Sequence, residues 1–481
     1  MTTAAAHSDA PQQSRMRLLD VAPALALAAI VLVASVLRFT GLNWDEGLWI
    51  HPDEGHMRTI LSVIEVPRDP SLYFDTARSP LNSVNRGYQY SYGTLPMFLT
   101  RLVAEWLDSG CQAMGNGLGA RLAWLLVGGE QGCLGGAFTG SRGALVGRGL
   151  SALADVGTVL LVFVLGRRLY GQTVGLLAAL LAALSAFSVQ QAHFFTVDSM
   201  AAFFTLLTAT FAVRAGQLGA EDRAGAGASS ARLWVNFAPA GVATGLAAAC
   251  KVSAGMVALL VILAGLWWLI GRAPLTQRLV RQVALAMLLA GVLAFVAFRV
   301  AQPYAFDGPG FFGVHPNANW FGRLAQINAE QGGELDYPSG RQWTNRTPIV
   351  FPWVNIVVWG MGLPLGVAAT VAWVWMGVEL FRGQRRHLVL WVWTTVVFLY
   401  LGTRWVMTMR YFLPLYPLLT LFVAYGLVRL IHAPSRPWWV AGGALAAVVG
   451  VGALLWTLAV FSIYLRPHPR IAGSRWMYEN V

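Results

Sequence analysis

The sequence predicts an all-α polytopic membrane protein. Hydrophobic residues make up 56% of its 481 residues and charged residues only 12%, so the chain carries too little charge to cover the surface of a water-soluble fold. Long apolar runs recur along the chain, separated by segments that contain arginine. Together these observations predict about eleven membrane-spanning helices, since roughly 20 apolar residues cross a bilayer core.

The net charge of +12 could indicate binding to nucleic acid. The basic residues, however, are dispersed between the apolar runs, as cytoplasmic loops and contacts with lipid headgroups require. A surface for a polynucleotide would gather them on one polar domain. We therefore expect membrane lipids as partners and no nucleic acid.

The chain begins with a polar tail, 1–17, which we place in the cytoplasm because it ends in two arginines. The first apolar run, 18–38, is too long for a signal peptide and leads outward. A long extracytoplasmic loop, 41–146, follows. Within it the sequence predicts two surface helices, 55–66 and 95–107, of which the second could instead be a short span.

The remaining apolar runs are predicted to cross the membrane in alternating directions. They are 147–166, 174–190, 199–213, 233–250, 254–271, 282–300, 353–380, 388–403, 411–431 and 438–464. Every short connection that this scheme places in the cytoplasm has at least two arginines within it or in the adjoining end of a span, in agreement with the positive-inside rule. The scheme gives one transmembrane domain, 18–465, with a second long outer loop, 302–348, and an outer tail, 466–481.

Candidate carboxylates lie directly after the first span, in the stretch His51-Pro52-Asp53-Glu54. A proline followed by two acidic residues is also a common helix start. At the membrane surface, however, a carboxylate can accept a proton from an attacking hydroxyl or amine. Asp53 is the first candidate for such a base, Glu54 the second, and the pair Asp45 and Glu46 the third.

Candidate cations lie in short outer connections, where the positive-inside rule disfavours them. They are Lys251, Arg404 and Arg410. Cations kept against that bias indicate an anionic ligand at the outer interface. Lys251 is the only lysine in the chain, although its alternative role is to extend its ammonium group to the lipid headgroups, as lysines at span ends do.

Histidines accompany these residues. His193 and Asp198 lie in one short outer loop, and His51 and His56 flank the candidate base. They could bind an acceptor, orient Asp53, hold a divalent cation or simply make hydrogen bonds within their loops. No ligand spacing of the HExxH type is present, so no cofactor is assigned and a divalent cation stays an alternative.

Three further features leave alternatives open. Cys111 and Cys133 fall in the same outer loop and could form a disulfide or remain free thiols. Asp155 lies within the second predicted span, where it either lines a site or braces a pair of helices. The loop 302–348 is long enough to cover a site as a lid.

Several short motifs keep a fixed order against the spans. They are Asp53-Glu54, the stretch from Tyr90 to Pro96, Gly147 to Ser151, Gly166 to Gly171, Gln191 to Asp198, Cys250 to Gly255, and Arg410 to Pro417. In this order the sequence resembles the GT-C superfamily of polyprenyl-phosphate-sugar-dependent glycosyltransferases. Within it, the sequence is similar to the group of protein O-mannosyltransferases and aminoarabinose transferases.

The resemblance implies a catalytic domain that transfers a sugar, with inversion, from a polyprenyl-phosphate donor to a protein, lipid or glycan acceptor outside the cytoplasm. It places the general base at Asp53, with Glu54 as its neighbour. The residues expected to bind the donor phosphate are Lys251, Arg410, Arg404 and Arg148. The residues expected to bind substrate or position the base are His51, His56, His193, Asp198, Tyr90 and Tyr92. It also implies that a soluble extracytoplasmic domain often follows a tail of this kind.

A transporter or flippase for a lipid-linked sugar is the competing function class, and a non-catalytic membrane subunit is the third. Transporters often contain inverted repeats, which the sequence lacks. Its polar residues are concentrated at one face of the membrane, which favours the enzyme.

Overall fold

The computed structural model describes residues 10–90, 92–112, 136–223, 230–272 and 274–481. Helices make up nearly all of the described structure. Numbered along the chain, they are α1 (Ala10–Phe39), α2 (Pro52–Val63), α3 (Thr94–Gln112), α4 (Gly143–Tyr170), α5 (Gln172–Ala183), α6 (Ala186–Ala192), α7 (Asp198–Arg223), α8 (Ser230–Cys250), α9 (Ala258–Gly271), α10 (Gln277–Ala301), α11 (Ala318–Gly332), α12 (Val350–Asn355), α13 (Leu363–Phe381), α14 (Leu388–Gly402), α15 (Tyr416–Ile431), α16 (Arg436–Phe461) and α17 (Pro469–Asn480).

The described strands are short. β1 (Phe306–Asp307) and β2 (His315–Pro316) pair antiparallel, with Phe306 opposite Pro316. They close a turn within the segment 302–348, and α11 begins directly after them. The prediction of an all-α membrane protein is therefore confirmed.

The described helices include nine that are long and apolar enough to cross a membrane, and a tenth if the bent pair α5 and α6 forms one span. A helix occurs at each of the eleven predicted runs. Two of these runs do not form one of the nine long helices. The run 174–190 is divided by a bend of 59°. The run 388–403 forms α14, which has 15 residues and is shorter than the roughly 20 that cross a bilayer core.

The bend between α5 and α6 frees backbone carbonyls inside the bundle, where water cannot satisfy them. Arg38 on α1 donates hydrogen bonds to the carbonyl oxygens of Ala183 at 3.0 Å and Ala182 at 3.2 Å. Thr457 on α16 donates to the carbonyl of Leu184 at 2.5 Å. Side chains from two other helices therefore complete the hydrogen bonds that the bend opens.

Arg38 also forms a buried ion pair with Asp155, whose carboxylate lies 2.5 Å from the guanidinium Nε. The pair joins α1 to α4. Of the two roles that the sequence leaves open for Asp155, the structure therefore supports the bracing of a helix pair.

Close helix packing depends on small residues, as is common in membrane proteins. At Gly241 on α8, an added Cβ atom would lie 2.2 Å from the carbonyl oxygen of Ala290 on α10. The two backbones therefore touch at this position, which only glycine permits.

The two predicted surface helices are present as α2 and α3. α3 is absent from the candidate spans of the described chain, because Arg101, Glu105 and Asp108 lie within it. Asp53 and Glu54 occupy the first turn of α2 after Pro52, so the stretch is also the helix start that its sequence suggests. The proposed pair Cys111 and Cys133 cannot be assessed, since Cys133 lies outside the described residues.

Candidate active site

The leading candidate residues from three separate parts of the sequence line one cavity of about 680 Å³, here named the aspartate cavity. Asp53 reaches it from the first turn of α2, and Lys251 from the residue directly after α8. Arg410 reaches it from the short 3-10 turn that precedes α15. His56 and Tyr92 also line it.

The Asp53 carboxylate is held by two neighbours. Its Oδ2 atom forms an ion pair with Nη1 of Arg410. Its Oδ1 atom accepts a hydrogen bond from the Tyr92 hydroxyl at 3.3 Å. About a quarter of the side chain is exposed, 24%, so the carboxylate is oriented by protein groups and still accessible from the cavity.

Lys251 is positioned by its backbone and by two side chains. It is extended, with φ −155° and ψ 122°, between α8 and the turn that follows. Its ammonium group lies 2.8 Å from Oδ1 of Asp198 and 3.9 Å from the centre of the Tyr411 ring. The charge of the ammonium group is therefore balanced by one carboxylate, and the group also contacts the face of an aromatic ring.

The loop that carries Tyr92 packs directly against the end of α8. The N–H group of Gly93 donates to the carbonyl of Cys250 at 3.1 Å. An added Cβ atom at Gly93 would lie 2.0 Å from the carbonyl oxygen of Ala249. Glycine at this position therefore allows Tyr92 and Lys251 to face the same cavity.

Arg148 and Glu54, predicted as phosphate ligand and as neighbour of the base, lie outside the lining of the aspartate cavity. Both are fully buried, and Arg148 binds both carboxylate oxygens of Glu54 at 2.7 Å. It also binds Asp45 at 2.8 and 3.0 Å, and Glu54 accepts the N–H of Phe195 at 2.6 Å. These contacts use the groups for tertiary structure, which favours Asp53 over Glu54 and Asp45 as the base.

The same cluster determines the protonation of Asp45. Burial alone would raise the pKa of its carboxyl group, but the hydrogen bonds and the charge of Arg148 outweigh burial and hold the pKa below its usual value. The cluster therefore contains one guanidinium and the ionised carboxylate of Asp45, together with Glu54. Glu46, the other member of that pair, instead forms an exposed ion pair with Arg475.

Arg404 lies beside the cavity without lining it. Its guanidinium donates to the backbone carbonyl of Asn328 at 3.0 Å and to the side-chain oxygen of the same residue at 2.9 Å. Asn328 itself lines the cavity. Arg404 therefore holds a residue of the cavity wall in place without facing the cavity itself.

The histidines are not brought together. Each ring nitrogen of His193 lies within hydrogen-bond distance of a backbone carbonyl oxygen, Nδ1 at 2.8 Å from that of Val189 and Nε2 at 3.0 Å from that of Thr40, and its ring stacks on Tyr464. Among the residues that the structure describes, no group of three or more histidine, cysteine or acidic side chains could hold a metal ion.

His51 and His56 differ in their surroundings. The ring of His51 stacks on Phe194 with 4.5 Å between ring centres, and burial lowers the pKa of His51. His56 faces the cavity beside Tyr90, whose hydroxyl contacts the sulfur of Met57 at 3.3 Å. Of the three histidines, only His56 lines the aspartate cavity.

Several cavity residues were not predicted individually. Helix α11 contributes Arg323, Asn328, Glu330 and Gln331, and Tyr337 follows it. They belong to the loop 302–348, for which only a lid over the site was predicted. The length and the charge of the loop indicated that it covers a site, but the sequence alone does not show which face of α11 turns inward.

A second cavity of about 410 Å³ adjoins the aspartate cavity and shares Gln89 and Arg323 with it. Its wall combines amide side chains with aromatic rings. Among its lining residues are Asn82, Asn85, Gln302, Tyr304 and Trp320. It offers hydrogen-bond donors and acceptors to a polar molecule next to the cavity that Asp53 lines.

Comparison with known structures identifies the architecture. The oligosaccharyltransferase AglB from Archaeoglobus fulgidus, in complex with an inhibitory peptide and a dolichol-phosphate, matches with a TM-score of 0.55 and 14% identity over 92% of this chain. The chain has the GT-C fold. It spans 56% of the length of that AglB chain.

A family model described as dolichyl-phosphate-mannose-protein mannosyltransferase matches residues 135–303 of this chain. ArnT from Cupriavidus metallidurans bound to undecaprenyl phosphate gives a TM-score of 0.49 at 15% identity, covering 92% of this chain and 75% of the other. The Pmt1–Pmt2 protein O-mannosyltransferase complex of S. cerevisiae, bound to its sugar donor, gives 0.39 at 19% identity, covering 60% and 35%. Comparison with curated protein sequences gives no match.

Proposed function

We propose that this protein is a membrane glycosyltransferase that transfers a sugar from a polyprenyl-phosphate donor to an acceptor, with Asp53 as general base. The observation that carries the proposal is that Asp53, Lys251 and Arg410 line one cavity. A base and cations are the groups that this reaction requires, because the acceptor loses a proton while a phosphate anion departs.

In the proposed reaction, a hydroxyl or amine of the acceptor forms a bond to the anomeric carbon of the sugar. The bond between that carbon and the phosphate oxygen breaks, and its electron pair stays on the phosphate. The Asp53 carboxylate takes the proton of the acceptor. Attack from the face opposite the phosphate inverts the anomeric centre.

The ion pair between Asp53 and Arg410 has a role in this proposal. While Arg410 binds the carboxylate, it lowers the capacity of Asp53 to accept a proton. A donor phosphate competes for Arg410, since guanidinium groups bind phosphate through charge-assisted hydrogen bonds. Donor binding would thus free Asp53 as a base.

Lys251 would bind the same phosphate from the side of α8. Its ammonium group is already oriented by Asp198 and the ring of Tyr411. A lysine placed in this way can stabilise the negative charge that grows on the departing phosphate without further reorganisation.

The fold comparison supports this donor class, because the AglB structure contains a dolichol-phosphate. The family model matched by residues 135–303 is described by its use of dolichyl-phosphate-mannose. For this chain the proposal covers a hexosyl or pentosyl donor and a protein, lipid or glycan acceptor. It places the active site outside the cytoplasm, because arginines dominate the short loops at the other end of the predicted spans.

The test uses the purified chain in lipid vesicles with a labelled polyprenyl-phosphate sugar. We expect Asp53→Asn to lower transfer at least about a hundredfold, in the range that a general base contributes. Asp336→Asn is the matched control, since Asp336 lies in an exposed ion pair. Transfer that survives Asp53→Asn at the control rate would remove Asp53 as the base.

The same vesicles distinguish a transporter, which remains relevant because a bent span such as α5 and α6 also occurs in transporters. Movement of the labelled donor across the membrane without sugar transfer would favour a flippase. Transfer that requires Asp53 would favour the enzyme.

A further inference from the structure

A second basic cavity lies at the end of the bundle opposite Asp53. The candidate span Met409–Ile431 has Arg410 in its first turn and Arg429 in its last, so the two arginines mark its two ends. Arg429 lines a cavity of about 670 Å³, here named the arginine cavity. Arg386, Tyr170, Tyr425 and Trp438 also line it.

The charges in the arginine cavity are not balanced. Glu379 lies behind two of the cavity's lining residues: its carboxylate accepts hydrogen bonds from Tyr425 at 2.6 Å and from His387 at 3.0 Å and pairs with Arg429 at 3.5 Å. Burial lowers the pKa of His387, so this ring adds no charge near neutral pH. The single carboxylate of Glu379 therefore carries one negative charge against the two positive charges of Arg386 and Arg429.

Among the described residues, no carboxylate forms an ion pair with Arg386, whereas Glu379 pairs with Arg429. Arg386 donates to the Tyr425 hydroxyl at 2.9 Å, and its guanidinium lies 5.3 Å from the Tyr425 ring and 5.7 Å from the Tyr170 ring. Its buried Nε atom has no hydrogen-bond partner among the described residues. A buried donor of this kind costs free energy unless a ligand satisfies it.

An apolar groove continues from this cavity into the membrane region. It has a volume of about 370 Å³ and runs between α13, α15 and α16. Trp375 and Leu430 line both the groove and the arginine cavity. The remaining groove residues are apolar, among them Val367, Leu427 and Val448. The two spaces together therefore offer a basic, aromatic end and an apolar continuation.

We propose that the arginine cavity and the apolar groove bind one anionic phospholipid, with its phosphate on Arg386 and Arg429 and an acyl chain along Val448. Arginine forms bidentate hydrogen bonds with phosphate oxygens. Tryptophans such as Trp438 are typical of the level of the headgroups. The ligand would supply the acceptor that the Nε atom of Arg386 lacks.

The position of the arginine cavity in the bundle favours a phospholipid over the isoprenoid carrier as its ligand. The carrier is proposed to react at the end of the bundle where Asp53 lies. The arginine cavity belongs to the arginine-rich end, which the sequence predicts to face the cytoplasm, and anionic phospholipids attract basic residues there. This site is therefore separate from the proposed reaction and does not depend on it.

The test measures the unfolding temperature of the purified full chain in a maltoside detergent with added phosphatidylglycerol or phosphatidylcholine. A ligand that binds the folded state raises this temperature in a concentration-dependent way. We expect phosphatidylglycerol to raise the unfolding temperature and phosphatidylcholine to leave it unchanged. We further expect Arg386→Gln to weaken the apparent affinity about tenfold or more, because it removes a charge-assisted contact, and Arg386→Lys to retain part of it.

Two further variants make the outcome decisive. Arg382→Gln removes the same charge from an exposed residue that does not line the cavity, and it should respond as wild type. Val448→Trp fills the groove and should weaken binding while both arginines remain. Equal responses of Arg386→Gln and Arg382→Gln would overturn the site. A rise with undecaprenyl phosphate but not with phosphatidylglycerol would overturn the phospholipid.

Discussion

At the scale of single residues, the same residue types serve opposite purposes in this chain. Asp53 and Arg410 are paired but remain about a quarter exposed, at 24% and 26%, so a ligand can exchange with either. Arg148 and Glu54 are paired with no exposure at all. Sequence predicted all four as site residues, because it reveals residue type and order along the chain but not which pairs are sealed from solvent.

The buried cluster gives a prediction for Arg148. Arg148→Gln leaves Asp45 and Glu54 without their cation, and removing one partner of a buried ion pair costs about 3–5 kcal/mol. We expect a correspondingly lower free energy of unfolding, measured by denaturant titration in detergent. Arg404→Gln, which removes an arginine from the cavity rim, should change it by less than about 0.5 kcal/mol. Stability equal to wild type in Arg148→Gln would contradict a structural role.

His51 gives a prediction for pH. Its folded-state pKa lies below the ordinary 6.5 because of burial, so the unfolded chain binds the proton more readily. Above about pH 6.5, His51 is neutral in both the folded and the unfolded chain, and the folded state carries no penalty. As the pH falls below this value, the unfolded chain takes up the proton first, so the free energy of unfolding decreases. We expect the unfolding temperature to fall as the pH decreases below about 6.5, the ordinary pKa of a histidine in the unfolded chain. His51→Phe should reduce this fall, and His315→Gln, in exposed β2, should not.

At the scale of elements, order along the chain predicted the main features well. A helix occurs at each of the eleven apolar runs read from the sequence, and the acidic start of α2 was recognised from Pro52 and the two carboxylates after it. The bend in α5 and α6 was not predicted, because Ser185 is unremarkable in the sequence and its partners, Arg38 and Thr457, are distant along the chain. The inward face of α11 was missed for a similar reason.

Helix packing gives a prediction that contrasts two glycines on neighbouring helices. Gly241→Ala places a Cβ atom 2.2 Å from the carbonyl of Ala290, so α8 and α10 must separate at a cost of about 1–3 kcal/mol. Gly291→Ala on α10 meets no atom within 4 Å and should be neutral or slightly stabilising, since alanine favours helix. The measurement is the unfolding temperature of the two variants in the same detergent. Equal unfolding temperatures would exclude the close contact between Gly241 and the carbonyl of Ala290.

At the scale of the whole molecule, the described chain separates two kinds of basic site. The aspartate cavity combines cations with a carboxylate that can act as a base, whereas Glu379, the carboxylate that pairs with Arg429, does not line the arginine cavity. The grouping of Asp53 with the outer cations was predicted from the order of motifs. The arginine cavity was not predicted, because Arg386 and Arg429 are two of many arginines at or near the predicted inner ends of spans, and only the tertiary structure joins them to Tyr170 and to an apolar groove.

The bend between α5 and α6 has a consequence for how the protein is made. Its freed carbonyls are satisfied by Arg38 from α1 and by Thr457 from α16, which are the first and last candidate spans of the described chain. During synthesis, α5 and α6 enter the membrane long before α16 is translated. The Leu184 carbonyl therefore gains its native partner only after α16 has been translated and inserted, and the packing around the bend cannot be completed before then.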